Sequence, residues 1–194
     1  MSDNDKTEIG YYPEICLKMA VYLKDIFGAD HQIAYSQNKS LSEMVNEIHS
    51  SLGLDRGDTY YPSLRTDIAF GIRFPSGKLA LMLLEVKRGK SLGLMNFSQL
   101  IGYMQVAKHI RIGILLLVNE GVKASPLSID FSSIIDVGQL PADWKVLLTH
   151  SDESYDFQAG ICLYTPNNGI EWVDSDNCYG ISSWDQLKES LSAE

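Results

Sequence analysis

Residues 65–87 read RTDIAFGIRFPSGKLALMLLEVK, and the fold follows from how this stretch turns back on itself. Two largely apolar runs, 65–74 and 78–87, flank the tripeptide Pro75-Ser76-Gly77. Pro75 suits the first position of a type I turn, Ser76 the second, and Gly77 the left-handed residue that follows. That is the three-residue hairpin loop closed by a bulge. The turn makes Phe74 face Lys78, so the numbers of facing residues sum to 152. Carried down the hairpin, this register sets Asp67 opposite Glu85 and Arg65 opposite Lys87. Glu85 and Lys87 share a face because strand side chains alternate with period two. Asp67, Glu85 and Lys87 are therefore expected on one patch, and a slip of one residue would send Asp67 to the other side.

Outward from the hairpin, the periodicity alternates between helix and strand. A helix is expected over 13–27: Pro13 suits a first turn, Ile15, Met19, Tyr22, Leu23 and Ile26 make one apolar stripe, and Gly28 is a natural stop. A strand is expected over 31–36. A second helix follows, with Ser40 and Glu43 at capping-box spacing and Leu41, Met44, Val45 and Ile48 on its buried side. Beyond the hairpin, the reading is a helix over 97–109, with Asn96 and Gln99 at capping-box spacing, and a strand over 111–118. SPLSIDFSSII, from Ser125, reads either as a helix or as a loop with a strand. KVLLTH (145–150) reads as a strand, GICLYTPNNGIEWV as a hairpin turning at Asn168-Gly169, and 184–191 as a short helix capped by Ser183.

Composition bounds the function. The chain has 194 residues, 45% hydrophobic and 21% charged, ordinary for one globular domain. No apolar run approaches the roughly 18 residues of a membrane span, and the polar, acidic MSDNDKTEIG is unlike a secretory signal. A cytoplasmic protein is the expectation. Cys16, Cys162 and Cys178 are scattered and make neither a disulfide framework nor a zinc site. No phosphate-binding P-loop, GxSxG elbow, HExxH or dinucleotide fingerprint is present.

The net charge of −9 is unevenly spread. Residues 151–194 carry nine acids and one base, a balance of −8. Residues 65–111 carry eight bases (Arg65, Arg73, Lys78, Lys87, Arg88, Lys90, Lys108 and Arg111) against Asp67 and Glu85 alone, a balance of +6. A basic centre is the electrostatic footprint of phosphate binding; the alternative is that these bases lie on several faces. The charge shift marks 1–150 as a core and 151–194 as an acidic, β-rich extension, packed on the same domain or available to a protein partner.

Two carboxylates on one strand edge suit a hard cation such as magnesium, which binds oxygen and keeps several waters. A metal lowers the pKa of an attacking water, and a neighbouring lysine opposes charge that grows on a phosphate. Asp67, seventeen residues, then Glu85-Val86-Lys87 resembles the D…(D/E)-x-K signature of PD-(D/E)XK nucleases. Gln99 and Tyr103, four apart on the following helix, resemble the Q-x-x-x-Y motif of the branch that holds recombination exonucleases and CRISPR-associated nucleases. The order α-β-β-β-α-β over 13–118, with the 40–52 helix inserted, is similar to that family's core.

The resemblance implies a restriction-endonuclease-like α/β fold, a mixed central sheet flanked by helices. It implies Mg2+-dependent (or Mn2+-dependent) hydrolysis of nucleic acid, DNA above all, and pairing as a homodimer where two strands need two sites. In that reading Asp67 and Glu85 bind metal, Lys87 assists the water, and Gln99 and Tyr103 support substrate or site. Thr66 stands where the family often has proline. A further carboxylate often comes from the first helix; Glu14 is the candidate and Glu47 the rival. Each also has a plainer role: Glu14 beside a helix N-terminus, Gln99 as a cap, Tyr103 as core, and the pair Tyr60-Tyr61 as packing or as a stacking platform for bases. A catalytically silent module of the same fold, binding nucleic acid or protein, is the alternative.

Overall fold

A computed structural model describes residues 6–107, 109–119, 125–136, 158–173 and 180–193. The expected strand at 145–150, Lys108 and Cys178 lie outside the described residues.

A short 3-10 turn, Glu8–Tyr11, leads into helix α1, Tyr12–Phe27. Pro13 sits in its first turn, and Gly28 ends it with φ 85°, a conformation open to glycine. Strand β1 spans Gln32–Ser40, longer than its apolar stretch predicts. Helix α2, Leu41–Ser51, starts with the expected box: the Glu43 amide donates to Ser40 Oγ, and the Ser40 amide donates to Glu43 Oε2 at 3.0 Å.

Strands β2, Arg65–Arg73, and β3, Leu79–Arg88, pair antiparallel from Ile68↔Leu84 to Arg73↔Leu79, the register read from the turn. The Gly77 amide donates to the Phe74 carbonyl at 2.9 Å, and Gly77 takes φ 86°.

Helix α3 spans Leu94–Val106, one turn earlier than its apolar periodicity suggests. Asn96 lies inside the helix and not at its cap: its Oδ1 accepts the Gly93 amide at 2.9 Å, and extended Gly93 takes the capping position. The Asn96–Gln99 capping box is thereby replaced. Strand β4, Ile112–Val118, is buried at every residue. The ambiguous segment after it contains helix α4, Ile129–Asp136. Strands β5, Gln158–Thr165, and β6, Gly169–Trp172, form the expected hairpin, with Gly169 at φ 83°. Helix α5, Trp184–Ala193, begins where the Gln186 amide donates to Ser183 Oγ at 3.2 Å.

The described strands form one open mixed sheet in the order β1-β2-β3-β4-β5-β6. The first three are antiparallel, β3-β4-β5 are parallel, and β6 returns antiparallel. Helices cover both faces, as buried parallel strands require. On one face α1 and α5 pack through Ile15, Met19, Leu23, Leu187 and Leu191 onto Phe70, Met82, Ile114 and Tyr164. On the other, α2, α3 and α4 pack through Met44, Ile48, Leu100, Met104 and Phe131 onto Leu81, Leu83, Leu115 and Ile161. No helix among the described residues is long and apolar enough to cross a membrane.

Candidate active site

Asp67 sits where two ladders lapse together. The β1–β2 pairing runs through Gln37↔Ile68, resumes at Lys39↔Thr66, and skips Asn38 opposite Asp67. The β2–β3 pairing stops at Ile68↔Leu84. Asn38 has φ 56°, and among the described residues it is the one non-glycine with a positive value. Asparagine tolerates that region better than most residues, and the Arg65 guanidinium holds it by donating to Oδ1 at 2.7 Å. Released from regular pairing, Asp67 reaches across to β3, where its Oδ2 accepts the Val86 amide at 2.8 Å. This places its carboxylate beside Glu85.

Glu85 is 1% exposed, a carboxylate in the interior of a sheet face. Burial first, and then the charge of Asp67, push its pKa up to about 7; the Lys87 ammonium works against both. Lys87 Nζ donates to Glu85 Oε1 at 2.5 Å. Burial works to lower the lysine's own pKa, but the Glu85 contact and the charges of Glu85, Asp67 and Glu8 prevail and raise it. The three residues of the hairpin thus meet as one interacting cluster.

The N-terminal turn brings two residues that sequence reasoning missed. Glu8 Oε2 accepts the Arg88 amide at 2.9 Å, and Glu8 Oε1 receives the Tyr12 hydroxyl at a long 3.5 Å. Tyr12 is 2% exposed. Its phenol is driven far above the usual tyrosine range by burial, then by the neighbouring Asp67 carboxylate and by the charges of Glu8 and Glu85. Nothing local in TEIGYYPE announces this, because the contacts span 80 positions from Glu8 to Arg88.

Glu14 and Glu47, the sequence candidates for a further carboxylate, sit elsewhere. Glu14 lies beside the Tyr164 hydroxyl, whose phenol is raised by burial and then by the Glu14 carboxylate. Glu47 accepts Ser36 Oγ at 2.6 Å and the Lys39 ammonium, so it joins α2 to β1. Gln99 and Tyr103 are brought together, with Gln99 Nε2 donating to the Tyr103 hydroxyl at 2.7 Å. No hydrogen bond among the described residues joins that pair to Asp67, Glu85 or Lys87. Tyr103 packs partly on the α3 side of the core. The pair Tyr60-Tyr61 divides: Tyr60 is 77% exposed, while Tyr61 is buried against His109 and the Arg56 guanidinium.

The basic zone divides as well. Arg65, Lys87, Arg88 and Lys90 lie at the site's end of the hairpin, and Arg73 and Lys78 at the turn. Seven residues from Lys78 to Glu85 cover roughly 23 Å at about 3.3 Å each. Arg73 is already engaged, donating to the Leu52 carbonyl at 2.9 Å.

Comparison with protein-family models gives no match, and comparison with curated proteins gives none. Chemistry must therefore be judged from the donor set. Among the described residues, no group of three or more His, Cys, Asp or Glu side chains is gathered closely enough to hold a metal. Asp67 and Glu85 make a pair. A pair fits magnesium, which takes one or two carboxylates and fills the remainder with water. It fits electrostatically too, since a dication would relieve the repulsion that raises Glu85.

Proposed function

We propose that this chain is a metal-dependent nuclease of the PD-(D/E)XK kind, hydrolysing phosphodiester bonds of nucleic acid, DNA foremost. The observation that carries the reading is the convergence of Asp67, Glu85 and Lys87 on one sheet face, with Glu85 buried and its charge opposed by Asp67. A buried carboxylate whose pKa is raised, beside a second acid and a lysine, is the arrangement such chemistry needs, and perturbed groups of this kind cluster at functional sites. Asp67 and Glu85 would hold Mg2+ or Mn2+, which when bound supplies an acidified water and positive charge at the phosphate. Lys87 Nζ is placed to hold the attacking water and to oppose charge that develops on the phosphate oxygens. Arg65, Lys90 and the exposed Tyr60 offer sequence-independent contacts to backbone and bases.

The test is cleavage of labelled single-stranded DNA, duplex DNA and RNA with Mg2+, with Mn2+ and with EDTA. Wild type should cut only with metal, and Lys87→Ala should lose at least about 100-fold in rate. A folded wild type that neither cuts nor binds metal overturns the reading in favour of a silent binding module.

A further inference from the structure

We propose that the cavity at the turn end of the hairpin is an oxyanion site, which takes the phosphate group of a small organic molecule between Arg73 and Lys24. The inference is independent of the nuclease reading. Arg73 pairs with Leu79, and from there to Glu85 runs roughly 20 Å of strand.

Where α1 and α2 both end, against the start of β1 and the end of β2, the fold leaves a cavity of about 590 Å3. Small-molecule sites have volumes of this order. Its polar side is made by Lys24, His31 and Arg73, and its apolar side by Ala20, Ile33 and Leu52. No acid lines it, in a chain whose net charge is −9. Asp30, beside His31 in the sequence, is exposed and lies outside the lining.

Cations at helix C-termini can serve the helix dipole alone, and one nitrogen of Arg73 does so. Its Nη1 donates to the Leu52 carbonyl, at the end of α2, at 2.9 Å and to Gln32 Oε1 at 3.3 Å. Its Nε and Nη2 make no hydrogen bond among the described residues, and neither is sealed from solvent. Those two nitrogens form the planar edge that meets two oxygens of one anion. Anchored Nη1 fixes the plane of that edge, so less side-chain freedom is lost when an anion arrives. Lys24 adds a second cation from the last turn of α1, exposed and without an ion pair among the described residues. His31 is held between two rings, 5.2 Å from Phe27 and 5.1 Å from Phe74 between centroids. Its Nδ1 is buried without a partner, so the proton belongs on Nε2, the nitrogen left to donate to a solute. Two cations and a neutral donor around an acid-free hollow select an anion with several oxygens. The apolar side selects one that carries an organic body.

Calorimetric titration of the full chain in EDTA tests this, with inorganic phosphate, deoxyadenosine monophosphate and deoxyadenosine in turn. Wild type is measured beside Arg73→Lys, Lys24→Ala and Glu85→Gln, all with matching circular dichroism. Arg73→Lys keeps the charge and a donor for the Leu52 carbonyl but removes the planar edge. Lys24 is exposed, so its truncation spares the core. The expected result is that the nucleotide binds more tightly than inorganic phosphate and that the nucleoside does not bind. Nucleotide affinity should fall about tenfold in Arg73→Lys and several-fold in Lys24→Ala, and stay unchanged in Glu85→Gln. Absence of binding by either phosphate overturns the site, as does binding that Arg73→Lys and Lys24→Ala both reproduce within twofold. Inorganic phosphate binding as tightly as the nucleotide overturns the organic body. Binding that Glu85→Gln abolishes belongs to the candidate active site and overturns the inference as well.

Discussion

Glu85 is held in a form that costs the fold something. An acid whose folded pKa lies above its unfolded value binds its proton more tightly when folded. Its contribution to stability is therefore present at low pH and is lost as pH rises from 4.5 toward about 7. Lys87 is raised, so what it contributes is lost only at alkaline pH, outside this window. Glu43 and Glu47 are lowered, chiefly by Ser40 and by Lys39 respectively, and act only in more acidic solution. In EDTA, the melting temperature should fall between pH 5 and pH 8, by the equivalent of about 1–3 kcal/mol. Glu85→Gln should flatten that slope, melt higher than wild type at pH 8, and cut nothing. A wild-type melting temperature flat across that range would remove the case for a strained carboxylate. Stability gained where activity is lost separates a functional group from a packing group. Asp67, Glu85 and Lys87 were legible because one turn fixes their register. Glu8 and Tyr12 were not, because a side chain that arrives from a distant element leaves no local pattern. Asn38 was hidden for a related reason: its positive φ matters only because Asp67 faces it.

At the scale of elements, two helices lie on the sheet through glycines. A Cβ on Gly71 would overlap Cγ2 of Ile48 on α2, and one on Gly113 would overlap Met104 Sδ and approach Leu100 Cδ1 on α3 to 2.9 Å. Isoleucine is stiff at χ1, whereas methionine adapts. Gly71→Ala should therefore cost about 1–3 kcal/mol in a denaturant titration, and Gly113→Ala less. Equal losses would mean that α3 is as rigidly seated as α2. These contacts also mark what periodicity could reveal. The hairpin, the box at Ser40 and the stop at Gly28 each combine a pattern with specific turn or cap chemistry, and each lies where the sequence places it. The start of α3 had two adjacent choices. Asn96 can cap a helix or close one from its third position, and only the packing of Leu100, Ile101 and Met104 decides between them.

At the scale of the whole molecule, the segments 158–173 and 180–193 complete the sheet that carries the candidate site and the core behind it. β4 is buried along its full length between β3 and β5, and β5 continues it in parallel from Ile112↔Gln158 to Val118↔Tyr164. Leu187 and Leu191 of α5 fill the same core layer as Met19 and Leu23 of α1. The charge boundary near residue 150 is therefore a boundary of surface character laid over a continuous hydrophobic interior. Removing residues 158–194 would expose IGILLLV as an edge strand apolar on both faces, the arrangement most prone to pairing with another chain. It would also uncover the α1 stripe, which shares its core layer with Leu187 and Leu191. A chain ending at residue 157 should thus fail to unfold cooperatively and should aggregate, rather than persist as a folded core without its acidic extension. Soluble yield and thermal melts of that truncation, beside the full chain, decide the matter. A monomeric truncation with a sharp melt would show that residues 1–157 fold without the rest of the sheet.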